Sequence, residues 1–158
     1  LTKHPWLNAW VEHDRIVLKR EINIGIAVAL PEGLIVPVLK AAEGLTLAEI
    51  ARQADDLARR AREKRLTPME VQGGTFTVNN LGVSGILLAT PILVQPQAGI
   101  LGIGAVTKRP IVVDDHVAIR SLAYLCLSFD HRVIDGAMAG QFLQEVKAGL
   151  EGFELPPK

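Results

Sequence analysis

The run Val117 to Phe129 (VAIRSLAYLCLSF) restricts the fold more than any other part of the chain. In an extended strand successive side chains point to opposite faces. Leu125, Leu127 and Phe129 then point one way, and Leu122, Tyr124 and Cys126 the other. A strand that is apolar on both faces needs cover on both, so the run is expected to be a central, buried strand. The rest of the chain must supply its neighbours in the sheet and the layers that cover it.

Candidates for both are present. Arg15 to Leu18 is a short strand candidate. Glu21 to Leu30 alternates, with Ile22, Ile24, Ile26 and Val28 on one face, and Pro31-Glu32-Gly33 turns it into a returning strand over Leu34 to Leu39. Further strands are expected over Gly74 to Asn80, Gly99 to Thr107 and Ile111 to Val113, with Asp114-Asp115-His116 turning into the apolar run. Thr46-Leu47-Ala48-Glu49 fits a capping box. The recurrence of Leu47, Ile50, Ala51, Ala54, Leu57, Ala58 and Ala61 predicts a helix to about Arg65 that lays one stripe on a sheet. Thr67-Pro68-Met69-Glu70 repeats the cap chemistry for a short turn. A last helix from about Asp135 to Leu150 would bury Met138, Phe142, Leu143, Val146 and Leu150. The fold class expected is an α/β (α+β) two-layer sandwich, a mixed sheet with flanking helices.

A chain of 158 residues, 49% of them hydrophobic, suits one domain with a sizeable core. Seventeen basic residues balance seventeen acidic ones, which gives no global attraction to nucleic acid or to anionic membranes. No apolar run approaches the roughly eighteen residues that span a bilayer. The only cysteine, Cys126, has no intrachain partner, so a reducing compartment is expected: the cytoplasm, or the mitochondrial matrix in a eukaryote. The first residue is Leu1, not methionine, and the chain is expected to be a piece of something longer.

Several chemistries fail on residue pattern. Gly102-Ile103-Gly104 opens like a dinucleotide fingerprint, but Thr107 stands where the third glycine belongs and the segment lies in a strand. One cysteine and four scattered histidines have no metal-ligand spacing. Ser128 lacks the nucleophile elbow, and strand alternation puts it on the opposite face from His131.

The segment Leu127-Ser128-Phe129-Asp130-His131-Arg132-Val133-Ile134-Asp135-Gly136 remains. His131 stands where the apolar strand gives out, on the face of Leu127 and Phe129, bordering core and cleft. Asp135-Gly136 opens a helix. From the residues alone two readings stay open. Asp135 can be only an N-cap, Arg132 only a partner for Asp130 or Asp135, and a histidine at a strand end is more often structural than catalytic.

Asp-His-Arg-x-x-Asp-Gly after an apolar strand resembles the signature of the dihydrolipoamide acyltransferases, the core components of 2-oxo acid dehydrogenase complexes. A looser His-x-x-x-Asp-Gly is shared with chloramphenicol acetyltransferase and peptide-synthetase condensation domains. HPWLNAW, NIGIAV followed by GLIVPV, TLAEIA, LTPMEVQGGTFTVNNLG, TPILVQPQAGILGIG and KRPIVVDD resemble the same family in the same order, so nearly the whole chain is covered. The resemblance implies a chloramphenicol-acetyltransferase-like fold. It implies that residues 1–158 are the C-terminal portion of an acyltransferase catalytic domain, without its N-terminal part and without lipoyl and subunit-binding domains.

By the same resemblance the reaction moves an acyl group between a lipoyl thiol and coenzyme A, with His131 as general base on the thiol and no metal. A free thiol titrates near 8.5 and a free imidazole near 6.5, so direct proton transfer is uphill by roughly 2.7 kcal/mol. That is small beside a catalytic barrier, and a histidine suffices. Asp135 is carried over as a residue that orders the helix start and the histidine loop, and Gly136 as one that lets the backbone pass close to the site. The family commonly has Ser or Thr donating to the oxyanion where this chain has Asn79, whose amide N–H can do the same. Asn80 is expected to be a turn residue.

The resemblance further implies trimers that build a cubic or dodecahedral core. The site would be a channel between subunits, taking His131 from one and Asn79 from the next. The other partners implied are the 2-oxo acid decarboxylase and dihydrolipoamide dehydrogenase components. A non-catalytic scaffold on the same fold is the main alternative, which Asn79 favours and the intact Asp-His-Arg-x-x-Asp-Gly opposes. A small-molecule acetyltransferase is the other. The acyl group (acetyl, succinyl or branched-chain) is not fixed by these residues, although Leu-Cys-Leu-Ser and the Asn-Asn pair look somewhat like branched-chain members.

Overall fold

The computed structural model describes residues 1–154. Its strands are β1 (Ala9–Glu12), β2 (Arg15–Leu18), β3 (Ile24–Ile26), β4 (Val28–Leu30), β5 (Gly33–Ile35), β6 (Val38–Leu39), β7 (Phe76–Asn80), β8 (Gly99–Ile103), β9 (Thr107–Val113), β10 (His116–Leu122) and β11 (Leu125–Phe129). The helices are α1 (Leu47–Arg62) and α2 (Gly136–Glu151). The main sheet has the order β11-β8-β7-β3-β6 and is mixed: β3, β7 and β8 run parallel, while β6 and β11 are antiparallel to their neighbours. The expected α+β class holds.

The face of the sheet carrying Phe76 and Leu101 packs on Ile134 and on Ala139 and Phe142 of α2, with Leu7 and Ala9 closing the core. Val78, Leu125, Leu127, Phe129, Met138, Leu143 and Val146 pack around this centre. Phe76 and Phe142 meet edge to face, with ring centroids 5.8 Å apart. Leu150, expected to be buried, is exposed on the last turn of α2. Helix α1 lies against β6 and β4, toward the opposite edge of the sheet.

The capping boxes are where the sequence puts them. Thr46 Oγ1 accepts from Glu49 N, and Thr46 N donates to Glu49 Oε2 at 2.8 Å. Thr67 and Glu70 repeat the arrangement for a short 3-10 turn. Helix α1 stops at Arg62, about a turn before the expected end. Lys64 takes a left-handed conformation (φ 56°), and Arg65 N closes on the Arg60 carbonyl.

Three expected strands are broken in two. The hairpin turning at Pro31-Glu32-Gly33 is present, pairing Leu30 with Gly33 and Ile24 with Leu39, but it passes from one sheet into another at Ala27 and Pro37. Pro37 has no N–H for the ladder, and Ala27 N turns to the Val78 carbonyl at 3.1 Å. Gly99 to Thr107 ends at Ile103, and Thr107 begins β9.

The central buried strand over Val117 to Phe129 is corrected most. Its first half is β10, paired only with β9 in a separate hairpin whose turn residues Asp114 and Asp115 both take left-handed conformations. Its second half, β11, is the edge of the main sheet and is half-buried. The chain leaves one sheet and enters the other at Ala123-Tyr124, so the alternation of Leu122, Tyr124 and Cys126 does not run through one strand. Leu125, Leu127 and Phe129 do face the core, as expected. One strand was missed: β1, which pairs with β2 and leaves Ala9 fully buried.

Candidate functional site

Asp130 extends β11 by one residue, its N–H donating to the Ala98 carbonyl at 2.9 Å. Its own carbonyl then accepts from Val133 N (3.0 Å) and Ile134 N (3.1 Å), closing a tight turn over residues 131–133. Ile134, 1% exposed, plugs into the core and anchors the far side of that turn. Asp135 follows as the N-cap of α2, its Oδ1 accepting from Met138 N at 2.8 Å. A carboxylate in that position suits both the unpaired N–H groups and the helix dipole.

The Asp130 side chain is bound within the same turn. Oδ1 accepts from Arg132 N (3.0 Å) and Arg132 Nε (2.9 Å), and Oδ2 from Arg132 Nη2 (2.6 Å). Hydrogen bonding to the Arg132 guanidinium holds the Asp130 carboxyl below its ordinary value, against a smaller opposing effect of burial. The same pairing raises Arg132. Of the two partners the sequence allowed for Arg132, Asp130 is the one taken.

His131 is at the crest of this turn and exposed. Its ring leans on Phe129, with centroids 5.6 Å apart and planes 41° from parallel. The imidazole takes no hydrogen bond or ion pair from the described residues, in contrast to His4, which sits 3.3 Å from Glu145 Oε2. An exposed imidazole on a fixed backbone can exchange a proton with an incoming group. The cleft that His131 was expected to border is not closed by this chain alone. Two hollows lie elsewhere: one of about 520 Å³ between β6 and α1, and one of about 530 Å³ beside Trp10 and Lys40.

Asn79 is in β7, on the opposite side of the strand from Val78 and half-buried. Asn80 follows at the start of a 3-10 turn over Leu81–Ser84, the turn position expected of it. Asn79, Gly102 and Cys126 form one row across β7, β8 and β11. From that row β11 runs away from the Asn79 end of β7 toward Phe129, about 10 Å for three residues, with two strand spacings of about 4.8 Å between β7 and β11. His131 lies beyond Phe129. In one chain the two residues are therefore separated by well over 10 Å and cannot act on one reacting atom. Asp135, four positions after His131, is on the same turn.

One expectation changes here. A Cβ at Gly136 would meet no atom of the described residues within 4 Å, so the close backbone approach expected there is not made among them. The sequence offered Asp130 as one of two partners for Arg132, as a structural alternative and not as a frame for His131.

Residues 1–156 match the family model for the catalytic domain of the 2-oxoacid dehydrogenases acyltransferase. The chain is 47% identical over 151 residues to the dihydrolipoyllysine-residue succinyltransferase component of the 2-oxoglutarate dehydrogenase complex of Bartonella vinsonii subsp. berkhoffii, covering 96% of this chain and 37% of that protein. It thus spans little more than a third of that relative's length. The dihydrolipoamide acetyltransferase of Azotobacter vinelandii superimposes with a TM-score of 0.91 at 33% identity, over 96% of this chain and 63% of that one. That structure addresses the roles of a serine, a histidine and an asparagine in the catalytic mechanism. The cubic core of the pyruvate dehydrogenase multienzyme complex superimposes with a TM-score of 0.88 at 34% identity, over 94% of this chain and 62% of that one. This chain belongs to the 2-oxoacid dehydrogenase acyltransferase family and lies within its catalytic domain.

Proposed function

We propose that the chain is part of an enzyme that moves an acyl group between dihydrolipoamide and coenzyme A, with His131 as the general base on the attacking thiol. The observation that carries this reading is the turn itself. Its backbone is held by Asp130, Arg132 and Ile134, while the imidazole at its crest has no hydrogen-bond or ion-pair partner among the described residues. With the backbone held in this way, the exposed imidazole stays available to an incoming thiol.

The Azotobacter relative supports the assignment by spacing. Its serine, histidine and asparagine are separated by 52 and then 4 positions, and the same separations here join Asn79, His131 and Asp135. Asn79 would donate its amide N–H to the tetrahedral oxyanion in place of a hydroxyl. Asp135 would order the helix start beneath His131. Asn and Asp are both strong N-caps, so that exchange keeps the structural role.

The distance between Asn79 and His131 within one chain supports a site completed in an assembly. His131 of one copy would meet Asn79 of the next, in a channel that the lipoyl arm enters at one end and coenzyme A at the other. The likeness to a cubic core favours self-association as trimers within a larger shell. The decarboxylase and dihydrolipoamide dehydrogenase components would be the other partners, and the lipoyl group would come from a domain outside this chain.

The test is transfer from acyl-CoA to free dihydrolipoamide by the full chain, wild type against His131→Ala. The general-base contribution should make the variant slower by about a hundred- to ten-thousandfold. Equal rates would refute the mechanism. Running acetyl-, succinyl- and isobutyryl-CoA side by side identifies the acyl group.

A further inference from the structure

The geometry points to Asp130 and Arg132 as positioning residues that act on the reaction through His131, an inference that rests on the general-base reading above. Asp130 gathers most of the hydrogen bonds that hold the turn, beside the core anchor at Ile134. Its N–H holds the end of β11 to Ala98, its carbonyl holds Val133 and Ile134, and its carboxylate holds both the backbone N–H and the guanidinium of Arg132. The peptide units on either side of His131 are thus fixed by one residue. The ring is left with its side-chain torsions and a single wall, Phe129.

The two members of the pair differ in surroundings in a way that suits this role. The Asp130 side chain is 12% exposed and Arg132 61% exposed. The buried member is therefore tied to the sheet, and the exposed one closes over it from solvent. With its carboxyl held below the usual range, Asp130 stays ionised throughout the interval in which an ordinary imidazole titrates, and the frame does not loosen there. The guanidinium neutralises the carboxylate at contact distance, so the pair fixes geometry without placing a net charge beside the imidazole.

Misplacing a catalytic group by about 1 Å can cost on the order of a hundredfold in rate. The experiment compares Asp130→Ala, Asp130→Asn, Arg132→Gln and His131→Ala in the full chain, by steady-state acyl transfer and by thermal unfolding. Asp130→Ala is expected to lower kcat by about a hundredfold with the KM for coenzyme A unchanged. Asp130→Asn keeps an oxygen for Arg132 N and Nε and should recover most of that loss. The acid limb of the pH–rate profile should stay where it is in wild type. If Asp130→Ala does not fold, Arg132→Gln carries the test, because it keeps the bond from the Arg132 backbone N–H to the Asp130 carboxylate; a smaller fall, again in kcat alone, is expected. Wild-type turnover in folded Asp130→Ala or Arg132→Gln, with His131→Ala inactive, overturns the positioning role and leaves the general base standing. A loss in Asp130→Asn as large as in Asp130→Ala, or a change confined to KM, also overturns it. A fully active His131→Ala removes the reading beneath it.

Discussion

Two parts of the molecule are built from the same materials, carboxylates and arginines at capped turns, and end differently. At the end of α1, Arg60 Nε bonds Asp56 Oδ2 (2.7 Å) while its two terminal nitrogens bond Glu70 (3.0 and 2.6 Å). Glu70 also accepts from Thr67 in the second capping box. The charged groups of that arrangement are spent on one another, and Arg60 is accordingly raised and Glu70 lowered to about 2, chiefly by their mutual hydrogen bonds. At the end of β11, Asp130 and Arg132 are paired and Asp135 caps α2, but they flank His131, whose exposed ring has no hydrogen-bond or ion-pair partner among the described residues. Where every polar group is satisfied the arrangement holds elements together. Where a rigid frame surrounds one unspent titratable side chain, it can do chemistry.

The comparison breaks most readily through Asn79, which the proposed mechanism assigns to the reactive half although it lies well over 10 Å from His131 in one chain. Asn79→Ala should lower turnover by about a hundred- to a thousandfold, the usual effect of removing one oxyanion donor, with a much smaller change in the KM for coenzyme A. If the site is shared between copies, co-assembled Asn79→Ala and His131→Ala chains should regain activity that neither has alone, since some interfaces then bring an intact Asn79 to an intact His131. Mixtures as inactive as their components would place both residues in a single-chain site, against the register of β7, β8 and β11.

Core packing offers the next largest effect. Phe142 carries α2 onto Phe76 and the sheet and is 5% exposed. Phe142→Ala should cost about 3–5 kcal/mol of stability, read as a shift in the chemical-denaturation midpoint. A cost near zero would mean that α2 is held by its cap and not by this contact.

The Arg60–Glu70 half should answer in stability and not in turnover. Glu70 has a folded value of about 2 against an ordinary 4.5, so its contribution is fully present above about pH 4.5 and is lost as pH falls through about 2. Wild type should therefore be more stable than Glu70→Gln at neutral pH, and the difference should close on acidification. Acyl transfer at neutral pH should be the same in both. A turnover defect in Glu70→Gln would erase the distinction between the two halves.

How much of this was legible in the sequence follows from the range of the interactions. Capping boxes span three residues, and both were readable, as were the turn at Asp114-Asp115 and the Asp135 cap. The core stripe of α2 was readable through Val146 and failed at Leu150, where the helix outruns the sheet. The path from one sheet to another was not readable, because it depends on long-range choices: Ala27 bonding to Val78, or the chain leaving β10 for β11 at Ala123-Tyr124. An apolar run that looks like one central strand is, on that account, an exposed hairpin arm followed by an edge strand. For the site, His131, Asp135 and Asn79 were named from motif and resemblance. The partner of Arg132 was narrowed only to Asp130 or Asp135, because both carboxylates lie within reach in sequence and the turn geometry decides between them.

The smallest effect separates a cap from a participant. Thr46→Ala removes a cap remote from the β11–α2 turn and should cost about 1 kcal/mol with no change in acyl transfer. Asp135→Ala removes a cap of the same kind beneath His131 and should cost a similar amount. Asp135→Ser separates the two roles, because serine caps about as well as aspartate but brings no carboxylate. If Asp135 acts only by ordering the start of α2, the serine variant should regain both the stability and the turnover lost in the alanine variant. If it regains the stability alone, the carboxylate takes part in the reaction, and the division between spent and unspent groups in this turn must be redrawn to include Asp135 beside His131.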